Sequence, residues 1–304
     1  MKKIVNNIIA YFGYGIVKIQ KKRIIKKDCI VNVGNYNLKL PSTNPLVYTY
    51  KTNKKHSSEI GRITDVLLQK YPSLFYVDIG ANVGDTLLLV KSIDRDINAI
   101  CIEGDETSFR YLKENSTNFK NVFLFNSFLG ESNITVNATI DKVGWNNTII
   151  PDTDGDETIS LVTLDSLVSQ QFNADILVKF IKIDTEGFDT IIIRGALNII
   201  KKNNPVIYFE YNRSNMSPIK EDGLGTLLSM SRLGYTKVLF FDDEGRYLLQ
   251  TELTEKKLIT ELHNYCDGSG LISYLNICLI SKEDEDLVDE IIEKESLFYC
   301  AGLS

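Results

Sequence analysis

Histidine is nearly missing from this chain. Its 304 residues hold only two, His56 and His263, so no histidine-rich metal site is expected. The five cysteines, Cys29, Cys101, Cys266, Cys278 and Cys300, are odd in number, widely spaced and without a C-x-x-C pair. That argues against both a zinc site and a disulfide framework, and it points to a reducing, cytoplasmic setting. No apolar run reaches the ~20 residues a membrane span needs. The nearest approach, residues 4–19 (IVNNIIAYFGYGIVKI), is broken by Asn6, Asn7, Gly13 and Gly15, and the same breaks make it a poor signal peptide. Asp152, Asp154 and Asp156 hint at a calcium loop. The glycine falls at the fourth position (Gly155), however, and the twelfth is Thr163 rather than Glu, so the EF-hand pattern fails and a solvated acidic turn is expected. No metal is called for.

What is present is an ordinary globular composition, 43% hydrophobic and 24% charged, long enough for one large domain or two small ones. The net charge of −6 is unevenly spread. Residues 1–28 carry eight Lys/Arg against one acid, Asp28. With Ile4, Ile8, Tyr11 and Phe12 on one helical face, this lead suits a helix docked on its own domain or a partner, the preferred reading. The alternative is peripheral contact with an anionic membrane face. The acidic remainder argues against nucleic acid as a partner.

The rest of the chain is organised around Leu74–Asp85, LFYVDIGANVGD. An apolar strand, a glycine turn and a helix start follow one another, the arrangement that places ligands at strand tips in open α/β sheets. A dinucleotide site wants G-x-G-x-x-G. Here the spacing is G-x-x-x-G (Gly80, Gly84), with Asp78 and Asp85 on either side. Gly80 lets the chain turn, and Gly84 is expected to let a ligand come close. Acid at this turn disfavours a diphosphate and suits a cationic ligand, such as the sulfonium and ammonium of S-adenosylmethionine.

Downstream, strands and helices alternate. Strands are expected at 74–79, 98–103, 122–126, 178–184, 206–210, 235–241 and 271–280, and helices at 59–70, from 86, at 105–115, 190–201 and 223–233, and near 254–264. Two strand-like runs, 134–140 and 158–163, interrupt the series. The acidic tail 283–295 reads as an exposed helix. The expected fold is α/β: a Rossmann-like, seven-stranded, mostly parallel sheet with helices on both faces, the last strand antiparallel, and a small inserted β-hairpin at about 130–163. Residues 1–58 would form a lead of basic segment and short strands, and 59–304 the main domain.

Glu103 ends the second strand, 18 residues after Asp85. A carboxylate there can accept from both hydroxyls of a ribose. Ser127 and Phe128, after the third strand, would flank an adenine ring, although Phe128 could equally be core. The expected cofactor set is Asp78, Gly80, Asn82, Gly84, Asp85, Thr86, Glu103, Ser127 and Phe128.

The blocks VDIGANVGDT (77–86), TLDSL (163–167), IKIDTEGFDTIIIRGA (181–196) and PVIYFEY (205–211) resemble, in order and spacing, the FkbM family of S-adenosylmethionine-dependent methyltransferases. The resemblance covers about residues 59–280. HSSEIGRI (56–63) and FDDEG (241–245) are similar to a branch often found with surface-polysaccharide genes. It implies a class I methyltransferase fold and O-methylation of a hydroxyl, often on a sugar. Asp184 and Glu210, at the tips of the fourth and fifth strands, would orient that hydroxyl and accept its proton. Glu186 reads as a helix-start carboxylate favoured by the dipole. Trp145 and Asn146 offer an aromatic face and an amide to a sugar, or the Trp simply anchors its own loop. A nicotinamide dehydrogenase and a non-catalytic binding module of the same fold are the alternatives. The missing third glycine and Asp78 count against the first, and the intact acidic set against the second. No N/D-P-P-Y/F tetrapeptide follows the fourth strand, so nucleic-acid methylation is not expected.

Overall fold

The computed structural model describes residues 27–143, 146–151, 155–172, 175–266 and 270–300. The amphipathic lead and Trp145 lie outside them. Among the described residues no helix is long and apolar enough to cross a membrane.

A hairpin of β1 (Asp28–Val33) and β2 (Tyr36–Pro41) comes first, followed by helices α1 (Leu46–Thr52) and α2 (Ser58–Lys70). The strands β3 (Phe75–Ile79), β4 (Asn98–Ile102) and β5 (Val122–Phe125) alternate with α3 (Asp85–Ile93) and α4 (Glu106–Ser116). An insertion then contributes β6 (Phe128–Leu129), β7 (Ile134–Val143), β8 (Asn146–Pro151) and β9 (Glu157–Val162). After it come β10 (Val178–Ile183), β11 (Val206–Tyr211), β12 (Tyr235–Phe241), β13 (Tyr247–Glu252) and β14 (Leu275–Ser281). The main sheet has eight strands in the order β13-β12-β14-β11-β10-β3-β4-β5. β14 runs antiparallel to both neighbours, as expected of the last strand. The expected count of seven is corrected to eight: β13 adds antiparallel to β12 at the sheet's edge, so the sheet is mixed. β13 is short, half-exposed and follows a turn tied by Asp242, whose Oδ1 accepts from the Glu244 and Arg246 amides.

The insertion is larger than the expected hairpin. Its strands make a four-stranded sheet of order β6-β9-β7-β8. The two-residue β6 has no periodicity of its own to read and exists only by pairing with β9. A short helix, α5 (Leu164–Gln171), leads back to the main sheet. The helix expected at 190–201 is two helices, α6 (Asp189–Arg194) and α7 (Leu197–Asn203). The break falls at Gly195, where a side chain would not fit: the Gly130 carbonyl stands 2.1 Å from where a Cβ would be. The Asp of TLDSL, in the first turn of α5, caps α7: Asp165 accepts from the Asn198 and Ile199 amides at 2.9 Å each, filling the unpaired donors of a helix start.

The sheet has an apolar cluster on each face, and a third unites the β1–β2 hairpin with α3 and α4 through Val33, Leu40, Leu88 and Tyr111. β10 (VKFIKI) is buried at every position, as a central strand covered on both faces must be. Its two lysines therefore need acid partners. Lys179 finds Glu283 at 3.0 Å.

The acidic tail is packed down rather than exposed. A 3₁₀ turn (Lys282–Leu287) leads into the C-terminal helix, Val288–Cys300, which buries Ile291 and Glu295. Glu295, only 1% exposed, takes a two-pronged bond from Arg62 of α2, at 2.7 and 2.6 Å. Beyond it, Phe298 and Tyr299 are gripped by three cations: Arg62 lies 3.7 Å and Lys55 4.6 Å from the Phe298 ring centre, and Arg246 4.9 Å from that of Tyr299. Such contacts add on the order of 0.5–1 kcal/mol each at exposed sites. Removing the guanidinium would strand a buried carboxylate. Arg62→Ala is expected to lower the unfolding free energy by about 3 kcal/mol, measured by urea titration, with much of the loss recovered in Arg62→Ala/Glu295→Leu.

Candidate active site

Strand order reverses between β3 and β10, and the turns that follow these strands open there. Gly80 (φ +72) follows β3; a Cβ on it would sit 1.8 Å from the Asp184 carbonyl, so only glycine lets the two turns close on each other. The Asp184 amide in turn donates to the Ile79 carbonyl at 3.0 Å. Outside these tips lies a cavity of about 350 Å³, within the size range of small-molecule sites.

The cavity collects most of the expected residues. Gly80, Asn82, Asp85, Thr86, Glu103, Ser127, Phe128, Asp184 and Glu210 all line it. Asp78 and Gly84 are not among its lining residues. Gly84 has φ +92, but its open side faces Leu112 of α4, which would stand 2.9 Å from a Cβ added there; it serves helix packing, which corrects the expectation that it admits a ligand. Asp78 is wholly buried. It takes a 2.5 Å bond from the Thr86 hydroxyl and pairs with the Lys182 ammonium at 3.3 Å. Its charge is thus answered inside the protein, so it shapes the turn from behind. Only the backbone of Asn146 is described, and it pairs with Val143 in the β7–β8 hairpin.

Lys182 is the principal group that sequence reasoning passed over. Its ammonium reaches the Gly80 carbonyl at 3.1 Å and Asp184 at 3.6 Å. Burial works against its charge, but Asp78, Asp184 and Asp85 hold it above the ordinary lysine value. The available signal was a pair of lysines, Lys179 and Lys182, inside a strand otherwise apolar. Glu59 was passed over too. It shares a helical stripe with Ile63 and Val66, a position that should be apolar. It is 3% exposed, takes the Tyr208 hydroxyl at 3.0 Å, and its Oε2 has no hydrogen-bond partner. Burial pushes its carboxyl up to about 8.

Glu103 sits at the mouth of the turn. One oxygen accepts from the Asn82 amide at 2.8 Å, the other from the Asp105 amide at 2.7 Å. Burial pushes it up to about 7 against those two bonds. Gly104 brings the Phe128 ring in close: a Cβ there would stand 2.1 Å from the ring. On the opposite side, Tyr50 donates to Asp85 at 2.8 Å, tying α1 to the site. At the tips of β10 and β11, Glu186, Glu210 and Asp184 gather near Tyr274. Burial and then Asp184 raise Glu186 to about 7.

Residues 78–237, just over half of the chain, match the family described as the methyltransferase FkbM domain. The chain belongs to the FkbM methyltransferase family. No curated protein matches the sequence. Among solved structures, the FkbM chain is similar to methyltransferase FkbM from Methylobacillus flagellatus KT, at 19% identity and TM-score 0.38, over 55% of this chain and 40% of that one. It therefore spans well under half the length of that relative. It is also similar to precorrin-6y C5,15-methyltransferase from Geobacter metallireducens GS-15 (11% identity, 73% of this chain and 87% of that one, TM-score 0.35). A third is the plantazolicin methyltransferase BamL in complex with a triazolic desmethylPZN analog and SAH (11%, 78% and 88%, 0.40). Likeness that loose says nothing about what this chain binds.

The raised carboxyls of this FkbM chain set its pH response. Glu59, Glu103, Glu186 and Asp189 sit at about 7 to 8 through burial. Folded, they keep protons that the unfolded chain releases above its ordinary carboxyl range. The folded state therefore binds more protons than the unfolded one, and stability falls as pH rises through 7 to 8. The melting temperature of the ligand-free protein is expected to drop between pH 6.5 and 8.5, read by differential scanning fluorimetry.

Proposed function

We propose that this chain transfers a methyl group from S-adenosylmethionine to a hydroxyl, the acceptor being a sugar in surface-glycan assembly. The observation that carries the reading is the state of the glycine turn. The amides of Gly80 and Ala81 donate to the Ile102 carbonyl, that of Gly84 to Ala81, and that of Asn82 to Glu103. A dinucleotide pyrophosphate needs such amides free. Here they are used, and the carboxylates of Asp85, Glu103 and Asp184 ring the space instead, which suits a cation attached to a nucleoside. The unpartnered Glu59 Oε2 adds a buried carboxyl oxygen to the same wall.

On this reading each Glu103 oxygen still has a lone pair for a ribose hydroxyl. Phe128, fixed against Gly104, and Ser127 take the adenine. Bound S-adenosylmethionine supplies a methyl on sulfur: a C–O bond forms as the C–S bond breaks, and its electron pair leaves on sulfur. The protein holds the acceptor oxygen in line, worth several orders of magnitude in rate, while Asp184 and Glu210 orient it and take its proton. The sugar acceptor rests on the family resemblance.

Isothermal titration is expected to show S-adenosylhomocysteine binding and no NAD binding. Glu103→Ala should weaken the former at least tenfold, about 1.4 kcal/mol, and Asp184→Asn should leave it within a few-fold. Mass spectrometry of surface glycans from cells with and without the protein should show loss of one methyl mass.

A further inference from the structure

We propose that Glu186 and Glu210 work as one proton-accepting pair, with Asn215 as the positioning residue that holds them together. The proposal rests on the methyl-transfer reading above. A single side-chain nitrogen joins the two acids: Asn215 Nδ2 donates to Glu186 Oε2 at 2.7 Å and to Glu210 Oε1 at 3.3 Å. Both acids line the cavity.

The backbone is arranged to make this contact. Glu186 is held at φ +54, a conformation side chains rarely adopt, and Gly187 at φ +100. A Cβ on Gly187 would stand 2.5 Å from the Asn215 carbonyl, so glycine is what lets the Arg213–Met216 helical turn press against this loop. Asn212 caps that turn, accepting from the Ser214 and Asn215 amides, and so fixes where Asn215 stands. Strained residues persist where surrounding structure enforces them, and they gather at functional sites.

The chemistry of the tether matters. An amide supplies two hydrogens and no charge, so it can hold two carboxylates side by side without neutralising either. The titratable groups facing the pair are acids or a phenol: Asp184 on the same loop, Asp189 at the start of α6, and Tyr274 leading into β14; the Asn212 side chain also bonds Glu210 and favours its ionised form. Lys182, in the same cavity lining, is engaged with Asp78 and Asp184. Two carboxyls sharing one site do not both ionise readily, and one keeps a proton. The ionised member takes the proton from the acceptor hydroxyl, and its protonated neighbour offers a hydrogen bond to the same oxygen.

The test is ¹³C NMR titration of protein labelled at glutamate Cδ, with E186Q and E210Q assigning the two signals. E186Q is expected to lower the Glu210 midpoint by at least one pH unit, and E210Q to lower that of Glu186. In an N215A background the same substitution should move it by less than half as much. An unchanged Glu210 midpoint in E186Q, or coupling undiminished by N215A, overturns the pair. S-adenosylhomocysteine affinity, measured on the same samples, should stay within threefold. If the wild type fails to bind it, the methyl-transfer reading falls while the titration still reports on the pair. In cells, E186Q should lose the glycan methyl mass as E210Q does, and full methylation by E186Q also overturns the proposal.

Discussion

The ion pair between Asp78 and Lys182 is the constraint on which the site depends. The two residues are cross-strand partners on β3 and β10, in one row that continues to Cys101 on one side and to Tyr208 and Cys278 on the other. Asp78 is wholly buried, and Lys182 is nearly so, at the cavity wall. A buried charge without its partner costs several kcal/mol, so each residue requires the other. The lysine also donates to the Gly80 carbonyl, and the aspartate takes the hydroxyl of Thr86 at the start of α3. One pair thereby fixes both ends of the glycine turn. Tyr208 carries the row on to Glu59, so α2 is held to the same polar ledge.

Much of the architecture could be read from the chain because it depends on local pattern. VDIGANVGD announces strand, turn and helix within a few residues, and Glu103, Asp184 and Glu210 each close an apolar run. Those strand tips converge because the sheet brings them there. What could not be read depends on distant partners. Arg62 and Glu295 meet across 233 positions, so an acidic tail that looks soluble is partly buried. β6 and β13 are strands by virtue of what they lie beside. Asp78 was legible as an acid at the right place, but its role turns on Lys182, whose charge inside an apolar strand was the unread clue. Gly84 was legible as a glycine with a conformational purpose, and only packing reveals that Leu112 is the beneficiary.

The cavity is lined with acids whose charge is held in check by burial as much as by partners. Glu59, Glu103 and Glu186 are all raised in this way. Ionisation of such a wall is disfavoured by burial, and a cation entering it offsets that cost. Affinity and protonation are therefore coupled: a positively charged guest draws protons off the wall as it binds.

The aromatic pair near the end of the last helix has a reach beyond its own packing. Lys55 precedes His56, and Arg246 follows Gly245; His56 and Gly245 both belong to the cavity wall. Phe298 and Tyr299 therefore act as a rivet through two loops at the rim of the chamber, which Asn53 and Glu244 also join by a bond of 3.0 Å. Shortening the protein by a single helical turn there, or crowding it with a fused tag, would loosen the doorway while leaving the sheet intact. Damage of that sort would register as altered ligand exchange long before it registered as unfolding.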